Sequence, residues 1–537
     1  MGSVYNVKDN IITCSNAASK EQLFVGSVVK IFDNKNIQIG EGTVFELSAT
    51  LAKILLISGE NIKTESLVYG DIDTLYVNTG LSVLGKVINP LGQTLLSFKT
   101  NGFQNSFYSK NYKRLSISGS PDIIERKTVC KPLHTGVLSV DTLIPVGLGQ
   151  RQLIIGDKNV GKTSLAITVI KNQKSINAKL KNNFFSANDK NKFNTFVPCI
   201  YVSIGQKRSE ILRLRHFLIN SDSFWYTTMV FTSADDYPVL QYYAPYTGCS
   251  LGESFMDRGF DSVLVFDDLT KHSVAYRQIS LLLRRPPGRE AFPGDVFFLH
   301  SKLLERAAQL GNAEGEGSMT ALPIIETFSG DVSGYIPTNV ISITDGQIFL
   351  STNLFNKGII PAVDLTLSVS RVGSASQTNV MKGLSKHIKL ILSYYRQYDT
   401  SAGMSVSETS TSKLYLTKGK LLNYLFTQPL YSTLCYVKQV IYLYTVVGGW
   451  VDNLDLEECI FYLNTLLDNN FVGSLGENKI SDELTSFLSN LHYYEDSFRS
   501  MSYDSFVSFI EELYKGYNLL YKKEILGVKL SLTHLNF

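Results

Sequence analysis

The sequence predicts a multidomain chain in three parts: an N-terminal β-barrel, a central α/β domain on a mainly parallel sheet, and a C-terminal α-helical bundle. Three observations predict it. From about residue 20 to 93, short runs of β-branched and apolar residues follow one another closely, divided by turn signals. From there to about 378, continuous apolar runs alternate with helical stretches, the pattern of a parallel sheet covered on both faces. From 379 onward, apolar residues recur at helical spacing with charges between them. A chain of 537 residues exceeds what one core can organise. The expected boundaries are 1–93, 94–378 and 379–537.

In the first part, residues 25–32, 42–47 and 52–57 read as strands. Asp33-Asn34 and Ser58-Gly59-Glu60-Asn61 supply the turns, and close spacing without helical periodicity predicts a small closed barrel. Asn89-Pro90 closes the section with a turn. In the second part, the apolar runs before Gly156, Gly205-Gln206 and Asp267-Asp268 read as buried strands. Residues 171–196 are polar, rich in Asn and Lys and lack a clear period, which predicts a mobile or partly disordered surface insertion. In the third part, Leu454–Leu467, Ile480–Leu491 and Phe506–Leu520 read as helices, 399–412 as a Ser/Thr-rich loop, and 440–451 as a helix stopped by Gly448-Gly449.

Composition excludes several classes. The balance of 51 Lys+Arg against 48 Asp+Glu gives +3, so wholesale nucleic-acid binding is not expected. The six cysteines have no metal-site spacing, and read as reduced, mostly buried thiols. Apolar runs fall short of the ~20 residues a membrane helix requires, so membrane association is expected only through partners. The first ten residues, MGSVYNVKDN, have neither an apolar signal core nor an Arg-rich transit pattern. Such a chain is made where it works, or a leader lies outside this sequence. Abundant Tyr, Phe, Asn and Lys point to an AT-rich coding genome, of which an organelle is one source.

Gly156-Asp157-Lys158-Asn159-Val160-Gly161-Lys162-Thr163 carries the clearest chemistry. It matches Gly-x-x-x-x-Gly-Lys-Thr, lies between an apolar strand and a helix opening at Ser164, and is the pattern of a phosphate-binding loop. Gly156 and Gly161 are expected to let the backbone curl so that its N–H groups face phosphate oxygens. Lys162 neutralises terminal phosphates and the Thr163 hydroxyl can ligate Mg²⁺. Asp267, ending an apolar strand, has the context of a carboxylate that holds Mg²⁺ across from Thr163, commonly through water. Gln206 follows another strand at the same carboxyl edge, where ligands of open α/β sheets bind. A carboxylate there could activate water, whereas a neutral amide cannot usefully accept a proton. From the residues alone, Gln206 also reads as an ordinary surface side chain.

Longer stretches resemble the α-subunit family of F-type ATP synthases: PLHTGVLSVDTLIPVGLGQRQLIIGD at 132–157, IGQKRS at 204–209, the run from Phe266 to Ala308, that from Gly315 to Leu350, and LSVSRVGSASQ at 367–377. The similarity is strong over about 130–380, moderate over 20–130 and weak after 390. The resemblance implies an N-terminal β-barrel, a RecA-like P-loop nucleotide-binding domain and a C-terminal helical bundle. It implies ATP or ADP with Mg²⁺ as cofactors. Its partners would be β subunits in an alternating hexameric ring, a central-stalk γ subunit and peripheral-stalk subunits. Only β-side sites of that family turn over, so Gln206, where β carries a glutamate, marks a non-catalytic site.

Arg371 aligns with the arginine the family inserts into the neighbouring β site, and Ser342 with an interface serine. Read without the resemblance, Arg371 is a surface or ion-paired residue and Ser342 a satisfied strand hydroxyl. Pro361 and Gln428 align with positions near the nucleotide. The chain departs from the family at Lys158, Asn159 and Val160, at Ile360 in place of an arginine, and at Leu430 in place of a glutamine. These departures predict a nucleotide that stays bound but less tightly. The location implied is the mitochondrial inner membrane, matrix side, with a plastid or bacterial membrane as alternatives. Two rival readings are a self-sufficient hexameric ATPase (β-like, secretion motor or helicase) and a structural ring member that has lost nucleotide. Gln206 argues against the first; Lys162, Thr163 and Asp267 argue against the second.

Overall fold

The computed structural model describes residues 2–97 except 9, 16–23, 34–36, 49 and 60–61, then 112–115, 118–181, 196–312, 315–401, 410–452, 456–466 and a few positions between 502 and 508. Its described residues form two units. One holds residues 1–129, 147–354 and 364–372; the other holds 130–146, 355–363 and 373 onward.

The first unit begins with a closed six-stranded antiparallel barrel. Its strands Gly2–Lys8, Ile11–Ser15, Ser27–Phe32, Gln38–Leu47, Leu51–Gly59 and Leu67–Thr74 close when the first pairs with the last. Alternation sends Val29, Ile31, Val44, Ile54 and Val68 into one apolar interior. Two strands precede the first that the sequence reading placed, at 25–32. MGSVYNVKDN is too polar to read as a strand, but pairing to Ile11–Ser15 on one side and Leu67–Thr74 on the other holds it with Val4 buried and Val7 partly buried.

A nine-stranded sheet follows. Its order is Val369–Ser370, Gly346–Leu350, Leu153–Asp157, Ser318–Thr327, Asp261–Asp267, Cys199–Gln206, Thr227–Ser233, Lys86–Ile88 and Thr94–Ser97. The two outermost strands are antiparallel to their neighbours and the others run parallel. The expected boundary at 93 therefore falls inside a hairpin of this sheet. Parallel strands buried on both faces explain the continuous apolar runs. The ends of Leu153–Asp157, Cys199–Gln206 and Asp261–Asp267 place Gly156, Gln206 and Asp267 at one edge, as expected.

The stretch expected to be an irregular insertion is partly helical: Lys174–Lys181 forms a helix just beyond Lys162–Asn172. Asn177 is buried there and holds Val197 through both ends of its amide, at 2.9 Å each. Residues 182–195 lie outside the described residues.

Helices Leu269–Leu282 and Val296–Leu304 bury two histidines against each other, His272 and His300, with rings 5.6 Å apart. His272 Nε2 donates to the Tyr242 carbonyl at 3.2 Å. The Ser273 hydroxyl donates to Leu269, so His300 Nε2 donates to Ser273 at 3.3 Å. Burial pushes His272 down to about 3, helped by its neighbour, and His300 down to about 4. Unfolded histidine titrates near 6.5. Between that value and the folded ones the unfolded chain binds more protons, so these groups favour the fold above about pH 6.5 and that contribution is lost as pH falls. From pH 7 to 5 each should cost about 2 kcal/mol. In urea unfolding of the purified chain, His300→Gln should remove about half of the histidine part of that loss. An unchanged pH slope would contradict it.

In the second unit the helices Asn379–Ser401, Ser410–Phe426, Tyr436–Val447 and Leu456–Leu466 pack together. Val380, Leu384, Ile388 and Ile391 lie on the buried face of the first at helical spacing. Helix Tyr436–Val447 stops at Gly448, as expected. Within 399–412, expected to be a loop, the described ends are helical (399–401 and 410–412), and 402–409 lies outside the described residues. Ile480–Leu491 also lies outside them, as does Phe506–Leu520 apart from Val507 and Ser508, which are helical.

Residues 135–141 are fixed within this unit by the buried Asp141. It accepts Thr135 N–H at 2.9 Å, the Thr135 hydroxyl at 2.6 Å, Gly136 N–H at 3.0 Å and Gln439 Nε2 at 2.8 Å. Burial raises this carboxyl above its usual range despite those donors.

Candidate nucleotide site

The loop is built from the strand Leu153–Asp157 and the helix Lys162–Asn172. Asn159 and Gly161 take left-handed φ values of 64° and 100°, which turn the backbone toward the helix N-terminus. There, unpaired N–H groups and the helix dipole favour an anion. No side chain would clash at Gly161; its φ is what asks for glycine. Gly156 corrects the sequence reading. It remains in the strand, and a Cβ there would sit 2.7 Å from the Leu350 carbonyl oxygen of the neighbouring strand. Its role is close strand packing rather than curling.

Asp157 also differs from a simple loop position. Its carboxylate accepts Thr327 Oγ1 at 2.7 Å, Gly330 N–H at 2.8 Å and Thr352 Oγ1 at 2.7 Å. Burial would raise this carboxyl, but those donors and the Lys162 charge hold it below its usual value. Asp157 thus ties the loop to two neighbouring strand ends, leaving its backbone to face the ligand. Lys158 and Asn159 are exposed and Val160 is buried. The Ser164 carbonyl caps the Thr168 hydroxyl at 2.8 Å, within the helix.

Lys162 is almost fully buried. Its Nζ donates to the carbonyls of Gly156, at 3.0 Å, and Asp157, and lies 3.8 Å from Glu326. Burial pulls its pKa down, against the carboxylates of Glu326, Asp268, Asp267 and Asp157, which hold it up. One buried cation facing four acidic groups cannot by itself balance a polyphosphate, so the site's own charges call for a divalent cation.

The donors for such a cation converge. Thr163 Oγ1 donates to Asp267 Oδ2 at 2.8 Å. The Tyr201 hydroxyl donates to the same oxygen at 2.5 Å. Gln206 Nε2 donates to the Asp267 backbone carbonyl at 3.3 Å. Burial, and then the Asp267 charge, raise the Tyr201 phenol well above its usual value, so it remains a donor. Asp268 caps the helix Leu269–Leu282 through Lys271 N–H at 2.7 Å, and burial pushes its carboxyl up to about 7. Hydroxyl and carboxylate oxygens suit Mg²⁺, which keeps several waters and uses few protein ligands. Among the described residues there is no cluster of three or more His, Cys, Asp or Glu suited to a metal. Thr163 and Asp267 are the residues that fit the ion.

Arg371 and Ser342 make no hydrogen bond with this cluster among the described residues. Arg371 is exposed just after the edge strand Val369–Ser370, and its N–H donates to the Asp345 carbonyl at 2.7 Å. Asp345 is held in turn by Arg151, through its N–H at 3.0 Å, Nε at 3.0 Å and Nη2 at 2.7 Å. That lattice fixes the backbone at Arg371 and leaves its guanidinium without a hydrogen bond or ion pair among the described residues. Ser342 corrects the expectation of a strand. It lies exposed on the helix Tyr335–Ile343 and donates to the Asn339 carbonyl at 2.6 Å.

In the second unit, Pro361 follows Ile360 through a cis peptide, and Gln428 N–H donates to the Ile360 carbonyl at 2.6 Å. The Gln428 amide is buried, accepting Leu138 N–H at 2.8 Å and donating to the Gly136 carbonyl at 3.2 Å. Its side chain is committed to the 136–138 turn, a role the sequence spacing could not reveal. Sequence reasoning also missed Tyr201. The available signal was a phenol within an otherwise apolar buried strand, beside the strand that ends in Asp267.

A phosphate-binding loop on a parallel sheet, with its cation residues at the same edge, defines a P-loop nucleotide-binding protein. Residues 136–370 match the nucleotide-binding domain of the ATP synthase alpha/beta family, and residues 377–484 match the C-terminal domain of the alpha/beta chains. The chain is 44% identical over 456 residues to the ATP synthase subunit alpha of Neorickettsia sennetsu, covering 85% of each chain. It is 42% identical over 502 residues to that of Ehrlichia ruminantium, covering 91% of this chain and 93% of that one. It is also 43% identical over 486 residues to that of a Wolbachia pipientis strain, covering 86% and 91%. The chain belongs to the α-subunit family of F-type ATP synthases. The match over 377–484 gives the C-terminal part a clearer kinship than its weak motifs did.

Proposed function

We propose that this chain binds Mg-ATP or Mg-ADP without hydrolysing it and lends Arg371 to the active site of a neighbouring β subunit. The observation that carries the first half is the bond from Gln206 Nε2 to the Asp267 carbonyl. An amide in that position donates to the scaffold of the Mg²⁺ carboxylate and has no basic site with which to take a proton from water. A glutamate at 206 would place one more acidic group in a pocket already crowded with carboxylates. The self-sufficient ATPase reading would need a carboxylate at 206, where this chain has an amide.

In this reading the loop N–H groups and Lys162 hold the phosphates, and Thr163 and Asp267 hold Mg²⁺, which neutralises phosphate charge when bound. Arg371 supplies a fixed fork of donors to phosphate oxygens across the subunit boundary, and Ser342 is a weaker candidate for the same interface. The partners are β subunits alternating with this chain in a hexameric ring, a central-stalk γ subunit and a peripheral stalk. The whole is a proton-transporting ATP synthase. The names of the bacterial relatives support this assembly. No described helix is long and apolar enough to cross a membrane; in this reading attachment to the membrane runs through partners. The AT-rich bias supports the mitochondrial inner membrane, matrix side, and the His300–Glu305 stretch with Tyr395-Arg396 favours it over a plastid membrane. The relatives compared are bacterial, and cell fractionation separates that location from a bacterial plasma membrane.

Equilibrium dialysis of the assembled ring at millimolar Mg-ATP tests the binding half. Nucleotide should be retained at both kinds of site, and Ile360→Arg should tighten retention at this chain's site. A ring holding nucleotide only at its β sites would overturn the reading.

A further inference from the structure

We infer that Tyr201 is the positioning residue for Mg²⁺ at this site: its hydroxyl fixes the Asp267 carboxylate in the orientation that receives the ion. The inference rests on the nucleotide-binding reading above. Tyr201 is fully buried on the strand Cys199–Gln206, next to the strand that carries Asp267. Its hydroxyl and that of Thr163 converge on the same oxygen, Oδ2. Thr163 can ligate a cation with a lone pair of Oγ1 while its hydroxyl goes on donating to Oδ2.

Tyr201 contributes only a donor. It takes one lone pair of Oδ2 and so holds the carboxylate in one orientation. The backbone of Asp267 is held from the other side by Gln206. Tyr201 and Gln206, on one strand, therefore grip Asp267 at both its side chain and its main chain. Partners that orient a metal-binding carboxylate in this way set metal affinity. A phenylalanine fills the same volume but leaves Oδ2, itself buried, with Thr163 as its one remaining donor of the two.

The test compares ATP binding to the full chain with Mg²⁺ and with EDTA, and titrates Mn²⁺ by the loss of its free electron-spin-resonance signal in the presence of ATP. Tyr201→Phe should raise the Mn²⁺ and Mg²⁺ concentrations for half-saturation about tenfold or more. ATP affinity in EDTA should stay the same. On an Asp267→Asn background the same change should have no further effect. A Tyr201→Phe chain with unaltered metal dependence overturns the inference, and so does an equal loss of affinity in EDTA, which marks a purely structural role. If the chain fails to fold with phenylalanine, Tyr201→Phe in the Asp267→Asn background decides: an additive loss of stability overturns the inference, and a suppressed one supports it. Wild-type chain that binds no ATP in either condition would instead reject the nucleotide-binding reading.

Discussion

Replacing Arg371 with alanine should lower the steady-state turnover of the assembled synthase by about 10³- to 10⁵-fold, the range for arginine fingers in phosphoryl transfer. The reasoning begins with position. Arg371 is exposed at the end of an edge strand, while the Arg151–Asp345 lattice fixes its backbone. A long cationic side chain on a rigid root is poised to reach outward. Its guanidinium cannot lose its charge at neutral pH and presents donors in a planar fork. Arg371→Lys keeps the charge but not the fork, so it should recover little of the loss. Ring assembly, read by gel filtration, and nucleotide bound at this chain's own site should be unchanged in both variants. Near wild-type turnover in Arg371→Ala would remove the finger assignment.

The largest effect on stability is expected at Arg306. This guanidinium is fully buried and forms a forked pair with the equally buried Glu253, from Nε at 2.5 Å and Nη2 at 2.8 Å. Nη2 also donates to Ser250 at 3.1 Å, and Ser118 donates to the Glu253 carboxylate at 2.9 Å. Burial opposes the Arg306 charge, yet Cys249 and Glu253 beside it raise its pKa overall. Removing one partner strands the other charge where water cannot reach it. Arg306→Ala should therefore destabilise the central domain by about 3–5 kcal/mol. Changing both residues, Arg306→Met with Glu253→Leu, removes the stranded charge and should restore most of that loss. Chemical unfolding of the three proteins measures it. A double variant as unstable as Arg306→Ala would show that packing, rather than unpaired charge, sets the cost.

The parts legible in the sequence are those encoded by local pattern. The strand before Gly156, the helix after Gly161 and the apolar runs ending at Gln206 and Asp267 are continuous stretches with distinct periods, and they placed the site at one sheet edge. What escaped depends on contacts far apart in the chain. The Arg306–Glu253 pair spans 53 positions, and neither residue stands out in its own stretch. Gly156 looked like a turn former because the motif contains it, but its need for glycine comes from Leu350 on another strand. Gln428 looked like a ligand-side amide, yet its partners Gly136 and Leu138 lie nearly three hundred positions earlier. Ser342 was read as a strand residue because Ile341-Ser342-Ile343 alternates, whereas packing of Ile336, Val340 and Ile343 on one face makes it helical. Lys174–Lys181 is polar enough to hide its helix, and the buried amide of Asn177 supplies the anchor that composition lacks.

The central claim is a nucleotide held at this chain's site and left uncut. The most direct measurement loads the assembled synthase with ATP labelled on its γ-phosphate and then chases it with excess unlabelled Mg-ATP over many turnovers. The β sites clear their label during the chase. Label that remains bound should be recovered as intact ATP, in an amount that falls when Lys162 is replaced by alanine in this chain. Bound label released as phosphate at the rate of turnover, in step with the β sites, would contradict the account.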